Sequence, residues 1–93
     1  MDYWGRIELD YDDDTLNHIA KHGVFIEEVL HILKHSKKVA TKLKGNYYLI
    51  IGEYYGRCLT IIIEKEKGNK FILKTARDCS NSEKKRYRRK HKK

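Results

Sequence analysis

Ninety-three residues suffice for one domain with one core and are too few for two. Lys and Arg number 21 against 13 Asp and Glu, a formal net charge of +8, which points to a polyanionic partner, nucleic acid or acidic protein. No apolar run approaches the ~20 residues of a membrane span and no basic start leads into an apolar core, so neither a membrane partner nor a signal peptide is expected, and the chain reads as cytoplasmic.

The charge is polarised. Residues 1–14 hold six acids and one base, and residues 77–93 hold nine bases and two acids. An acidic head and a basic tail can pair within one molecule or across two. A chain this short buries only about two thirds of its unfolded surface, so association would also help it.

In chain order, WGRIEL (4–9) alternates as a short strand does. YDDDTLNHIAKHG (11–23) predicts a first helix, with Asp12 or Asp13 as its cap and Leu16, Ile19 and Ala20 as its apolar stripe. Gly23 stands where a helix-terminating glycine belongs. VFIEEVLHILKH (24–35) predicts a second helix, with Ile26, Val29, Leu30 and Leu33 inward and Glu27, Glu28, His31, Lys34 and His35 outward. One glycine between two helices demands a sharp corner, and Lys21 and His22 lie at it.

From residue 38 the periodicity changes to two. KVATKL, NYYLIIGEYY, CLTIIIEKE and KFILKTAR are rich in β-branched and aromatic residues, and Lys44-Gly45-Asn46, Tyr55-Gly56-Arg57 and Lys67-Gly68-Asn69 separate them. Connections this short predict an antiparallel meander. SNSEKKRYRRKHKK (80–93) predicts a last helix, capped by Ser80 or Ser82 with Glu83 in its first turn. The fold class is therefore α+β: two N-terminal helices packed on a four- to five-stranded antiparallel sheet, then a basic C-terminal helix. Residues 88–93 are expected to fray.

Cys58 and Cys79 allow one bridge at most. With no secretion signal, two reduced thiols are expected. His18 with His22 and His31 with His35 have i, i+4 spacing, which can hold zinc, but HIAKH lacks the glutamate of H-E-x-x-H and no third ligand is evident. Solvent-facing histidine is the expectation, and no metal or other cofactor is assigned. No nucleophile elbow, P-loop or dinucleotide-binding glycine pattern occurs.

Arg57 in its turn and Arg77 at a strand end are solvated cations or guanidinium forks for phosphate. Lys84, Lys85, Arg86, Arg88 and Arg89 make the closing segment a solvated charge run or an electrostatic grip on RNA. Tyr87 is its one ring, able to dock on the sheet or face a substrate. Cations interleaved with aromatics suit single-stranded RNA.

NHIAKHGVFIEEV (17–29) resembles the N-x-x-K-H-G-V-x-F/I-E-E motif of BrnT-type toxins, and TARDCSNSEKKRY (75–87) resembles their closing S-A-R-x-x-x-x-x-E-x-x-x-Y. Tyr47 to Gly52 is similar to the family's Y-L-x-I-G strand, and Gly56-Arg57 to its G-R turn. Two departures stand out: three aspartates precede the first motif, and T-A-R replaces S-A-R. The resemblance implies one RelE-like domain over residues 1–93 and a toxin that cleaves RNA, from a toxin–antitoxin pair. It also implies an antitoxin with a ribbon-helix-helix domain, contact with operator DNA only through that antitoxin, and a homodimer or toxin–antitoxin hetero-oligomer.

Lys21, His22, Arg57, Arg77, Glu83 and Tyr87 fall on motif positions. RNA brings its own nucleophile, the 2′-hydroxyl, so a protein need only move protons and stabilise charge. In that chemistry His22 is the group near neutral pKa, Arg57 and Arg77 hold phosphate, Lys21 adds charge, and Tyr87 stacks or donates. Two other readings remain: Lys21 and His22 as helix-end residues, and the whole chain as a non-catalytic basic nucleic-acid-binding module.

Overall fold

The computed structural model describes residues 6–35 and 37–91. In chain order the elements are β1 (Glu8–Asp10), α1 (Asp13–Lys21), α2 (Ile26–His35), β2 (Lys38–Lys42), β3 (Tyr47–Tyr54), β4 (Arg57–Lys67), β5 (Lys70–Asp78) and α3 (Asn81–His91). The first part of the predicted strand 4–9 lies outside the described residues.

Asp12 caps α1, its carboxylate accepting from the Thr15 N–H at 2.8 Å. The same bond holds the Asp12 pKa below its ordinary value. At the other end Gly23 has φ +73°, and Gly23 N–H and Val24 N–H donate to the carbonyls of Ala20 and Ile19. This paired closure uses Val24, so α2 begins at Ile26 rather than at Val24. The Glu28 carboxylate reaches back to accept from Phe25 N–H at 2.9 Å and caps the new start.

The five strands form one sheet in the order β1-β5-β4-β3-β2. β2 to β5 make the expected antiparallel meander. β1 departs from the expected all-antiparallel sheet: it pairs parallel to β5, Glu8 opposite Lys70 and Asp10 opposite Ile72. The intervening chain crosses the sheet as α1 and α2 before returning, which reverses the sense of the pairing. The sheet is therefore mixed.

Successive residues on a strand face opposite sides, and the two sides carry different cores. Ile50, Leu59, Ile61, Ile63, Phe71 and Leu73 pack with Ile19, Val24, Val29, Ile32 and Leu33 of the α1–α2 layer. Ile51, Val39 and Cys58 face the other way, in a smaller cluster with Cys79 and Tyr87. α3 covers that second side. The helix runs to His91, and residues 92 and 93 of the basic tail lie outside the described residues.

Two packing details correct the sequence. Ile32 is fully buried while Leu30 is only half-buried. Ile32 lies against Gly52 of β3, where an added Cβ would sit 2.4 Å from the Ile32 Cγ2. Cys58 and Cys79 are joined as a disulfide, with Cα atoms 5.4 Å apart, rather than standing as two thiols. Compartment arguments suggested free thiols; the β4–β5 register decides otherwise, because Leu59 opposes Asp78 and brings the two neighbouring cysteines together on the α3 side.

Candidate functional site

The first residue of β4, Arg57, is the junction of three elements. Its Nε donates to the Asp78 carboxylate at the end of β5, at 2.8 Å. One terminal nitrogen donates to the Gly23 carbonyl at 2.8 Å and faces Glu28 at 3.3 Å; the other donates to the His22 carbonyl at 3.4 Å. The Asp78 hydrogen bond, then the charges of Asp78 and Glu28, hold the Arg57 pKa above its ordinary value against the opposing effect of burial. The guanidinium ties the α1–α2 corner to the sheet and leaves about a third of its side chain exposed.

On one side of Arg57 opens a cleft of about 590 Å³. The β3–β4 turn supplies Tyr55 and Gly56, β3 supplies Glu53, and Cys58 and Asp78 complete the sheet side. α3 supplies Lys84, Tyr87 and Arg88, the i, i+3, i+4 spacing that puts three side chains on one helix face. The cleft thus holds three cations (Arg57, Lys84, Arg88) and two carboxylates (Glu53, Asp78), a balance of +1, and Asp78 is already engaged by Arg57.

Tyr87 is 9% exposed, and its hydroxyl donates to the Lys37 carbonyl at 3.2 Å. Burial first, then the Glu53 charge, raises its pKa. The ring therefore docks on the sheet and forms one wall of the cleft.

Arg77 points elsewhere. Its two terminal nitrogens grip both Glu83 oxygens, at 2.8 and 2.9 Å. Glu83 also accepts from Ser80 N–H and Thr60 Oγ1, so it closes the capping box of α3. Its pKa is held at about 2, chiefly by the Arg77 hydrogen bonds. Glu83 raises the Arg77 pKa in return.

Of the residues singled out from sequence, the structure brings together Arg57, Tyr87, Lys84 and Arg88. Lys21 and His22 lie at the corner beyond Arg57, with exposed side chains. The His22 ring contacts the His18 ring at 5.2 Å, and His18 Nε2 is 3.0 Å from the Thr75 hydroxyl. Arg86 turns toward the Thr41 hydroxyl on β2, while Lys85 and Arg89 are exposed outside the cleft. Sequence reasoning missed Glu53 and Asp78. The signal for Glu53 was an acid set in an otherwise apolar strand, LIIGEYY.

His31 and His35 have rings 5.5 Å apart, and among the described residues no group of three or more His, Cys, Asp and Glu could hold a metal ion. Among the same residues no helix is long and apolar enough to cross a membrane.

No family model matches this chain, and no curated protein is a match. Among solved structures the chain is similar to the crystal structure of the Brucella abortus ribonuclease toxin BrnT, with a TM-score of 0.64 and 19% identity. The likeness covers 81% of this chain and 99% of that one. The α+β fold implied by the sequence motifs is thus the fold found, with a mixed sheet in place of an antiparallel one.

Proposed function

We propose that this chain is a metal-independent endoribonuclease, the toxin of a toxin–antitoxin pair, and that it cuts single-stranded RNA at the Arg57 cleft. The observation that carries the reading is the fold shared with a ribonuclease toxin over 99% of that toxin's length. The convergence of Arg57, Lys84 and Arg88 on one cleft supports it, since a phosphodiester in transit toward its transition state gathers negative charge.

In this mechanism the RNA 2′-oxygen attacks the adjacent phosphorus and loses its proton to a base. The bond from phosphorus to the 5′-oxygen breaks, and that oxygen takes a proton from an acid. The products are a 2′,3′-cyclic phosphate and a 5′-hydroxyl. Lys84 and Arg88 hold the phosphate, and Arg57 closes the back of the cleft. Two groups compete for the role of base: Glu53 inside the cleft, and His22 on the far side of Arg57. The cleft favours Glu53, because a base must come within hydrogen-bond reach of the proton it removes. Lys84, which lines the same cleft, is the group that returns a proton to the 5′-oxygen.

The test is cleavage of an end-labelled single-stranded RNA by the purified protein in excess chelator. Cyclic-phosphate products should form, and Glu53→Gln should slow them about 100-fold or more, with His22→Ala as the rival variant. An intact RNA that is nevertheless bound would leave only the binding-module reading.

The partner in this reading is an antitoxin with a ribbon-helix-helix domain, which covers the cleft with acidic or apolar residues and alone touches operator DNA. Expression of the chain by itself should stop growth, and co-expression of the adjacent small reading frame should restore it. Harmless expression at a verified level would count against a toxin.

A further inference from the structure

Tyr54 pairs with Arg57 across the sheet, so Tyr55 and Gly56 form a two-residue hairpin loop. Both have positive φ, +49° and +83°. Such loops favour Asn, Asp or Gly at the first position, because a Cβ there meets its own backbone. A bulky residue in this region is uncommon and strained.

Burial does not repay that cost. Tyr55 is 87% exposed, the most exposed of the large apolar side chains among the described residues, ahead of Phe25 at 63%. Its neighbours instead orient it. The Tyr54 ring meets it edge-on at 4.7 Å, and the His31 ring of α2 lies nearly parallel at 6.0 Å and 28°. His31 and Tyr54 brace each other at 5.0 Å, and Tyr54 packs against the main core. The result is a shelf of three rings held by α2 and β3, and Tyr55, the turn residue that carries the outermost ring, borders the cleft that also contains Lys84 and Arg88.

An exposed, braced ring beside two cations matches the repeating unit of single-stranded RNA, a flat base on an anionic backbone. A protein partner matches it less well, since the cleft offers cations and a solvated ring rather than a continuous apolar surface. We propose that Tyr55 is a base-stacking platform that positions a nucleotide of single-stranded RNA while Lys84 and Arg88 hold its phosphates. This rests on the reading of the cleft as an RNA site and adds the subsite that receives a base. Stacking tolerates any base, so the platform sets register along the strand and carries little sequence preference.

The experiment uses the full chain and a single-stranded oligoribonucleotide with every 2′-oxygen methylated, so that it binds uncut. Its dissociation constant is measured for the wild type, Tyr55→Asn, Tyr55→Phe and a Lys84→Ala/Arg88→Ala variant, and again with an oligomer lacking bases. Asn suits the positive φ, so Tyr55→Asn should melt no lower than the wild type. It should bind the base-bearing oligomer about tenfold more weakly and the abasic oligomer as the wild type does, while Tyr55→Phe stays within about twofold of wild type.

Wild-type affinity in Tyr55→Asn overturns the platform, whatever happens to the melting temperature. Equal losses on both oligomers also overturn it, because the ring would then be serving the backbone. If Tyr55→Asn loses base-dependent binding while the Lys84/Arg88 variant binds normally, the ring stacks a base but the phosphate half of the proposal, and with it the cleft reading, is overturned.

Discussion

Arg77 and Glu83 form a two-point guanidinium–carboxylate pair that fastens the first turn of α3 to the last strand. The Glu83 side chain is 15% exposed and its pKa lies at about 2, against an ordinary value of 4.5. A carboxylate with a depressed folded-state pKa contributes stability above its unfolded value and loses it as pH falls through the folded one. The contribution, on the order of 3 kcal/mol at most, should be complete above pH 4.5 and vanish toward pH 2. Urea melts of the wild type and Glu83→Gln across this range should show a stability gap that closes on acidification. A gap independent of pH would remove the pair from the account.

Arg57→Ala should damage both fold and function. It leaves the Gly23 carbonyl and Asp78 without their donor and frees the α1–α2 corner. The expected loss is about 1–3 kcal/mol, read as a lower urea midpoint. RNA cleavage should fall by more than the unfolded fraction explains. Arg57→Lys should rescue little, because one ammonium cannot reproduce the planar fork that serves Asp78 and the corner carbonyls together.

The Cys58–Cys79 bridge closes a sequence separation of 21 residues. Its reduction should cost about 2–4 kcal/mol. Melting with and without reductant measures this directly. A Cys58→Ser/Cys79→Ser variant should match the reduced wild type and ignore the reductant. A wild type equally indifferent to reductant would show that the bridge contributes nothing in solution.

Gly52→Ala should destabilise the domain by about 1–3 kcal/mol. The new methyl would collide with Ile32 Cγ2, a fully buried group with little room to withdraw. Pairing it with Ile32→Ala, which removes Cγ2, should cost less in thermal melts than the sum of the two single losses. Additive losses would place the strain elsewhere.

Local signals made most of the fold legible. Asp12, Gly23, Ser80 and Glu83 all stand where capping chemistry put them, and the three Gly-containing turns mark the hairpins. What failed was non-local. The parallel pairing of β1 with β5 joins residues about sixty apart, and no neighbouring sequence reports it. VFIEEVLHIL holds two apolar stripes at helical spacing, and the bare Gly52 on a distant strand selects the one through Ile32.

The candidate site divides along the same line. Arg57, Lys84, Tyr87 and Arg88 were visible as residue types, and the fold gathers them in one cleft. Arg77 and His22 looked equally suitable as isolated residues. Glu83 engages Arg77, and His22 lies on the far side of the Arg57 guanidinium, so neither lines that cleft.

α2 is seated directly on β3 at Gly52, and the corner preceding it is clasped by Arg57. The helix pair is therefore held at both ends, by a contact that admits no spacer and by a charged clamp. Arg57 also lines the cleft, so the clamp on the α1–α2 corner fixes one of the cleft's cations as well. In the proposed reaction, a guanidinium held in this way by Asp78 and the Gly23 carbonyl would face the phosphate without first having to reorganise.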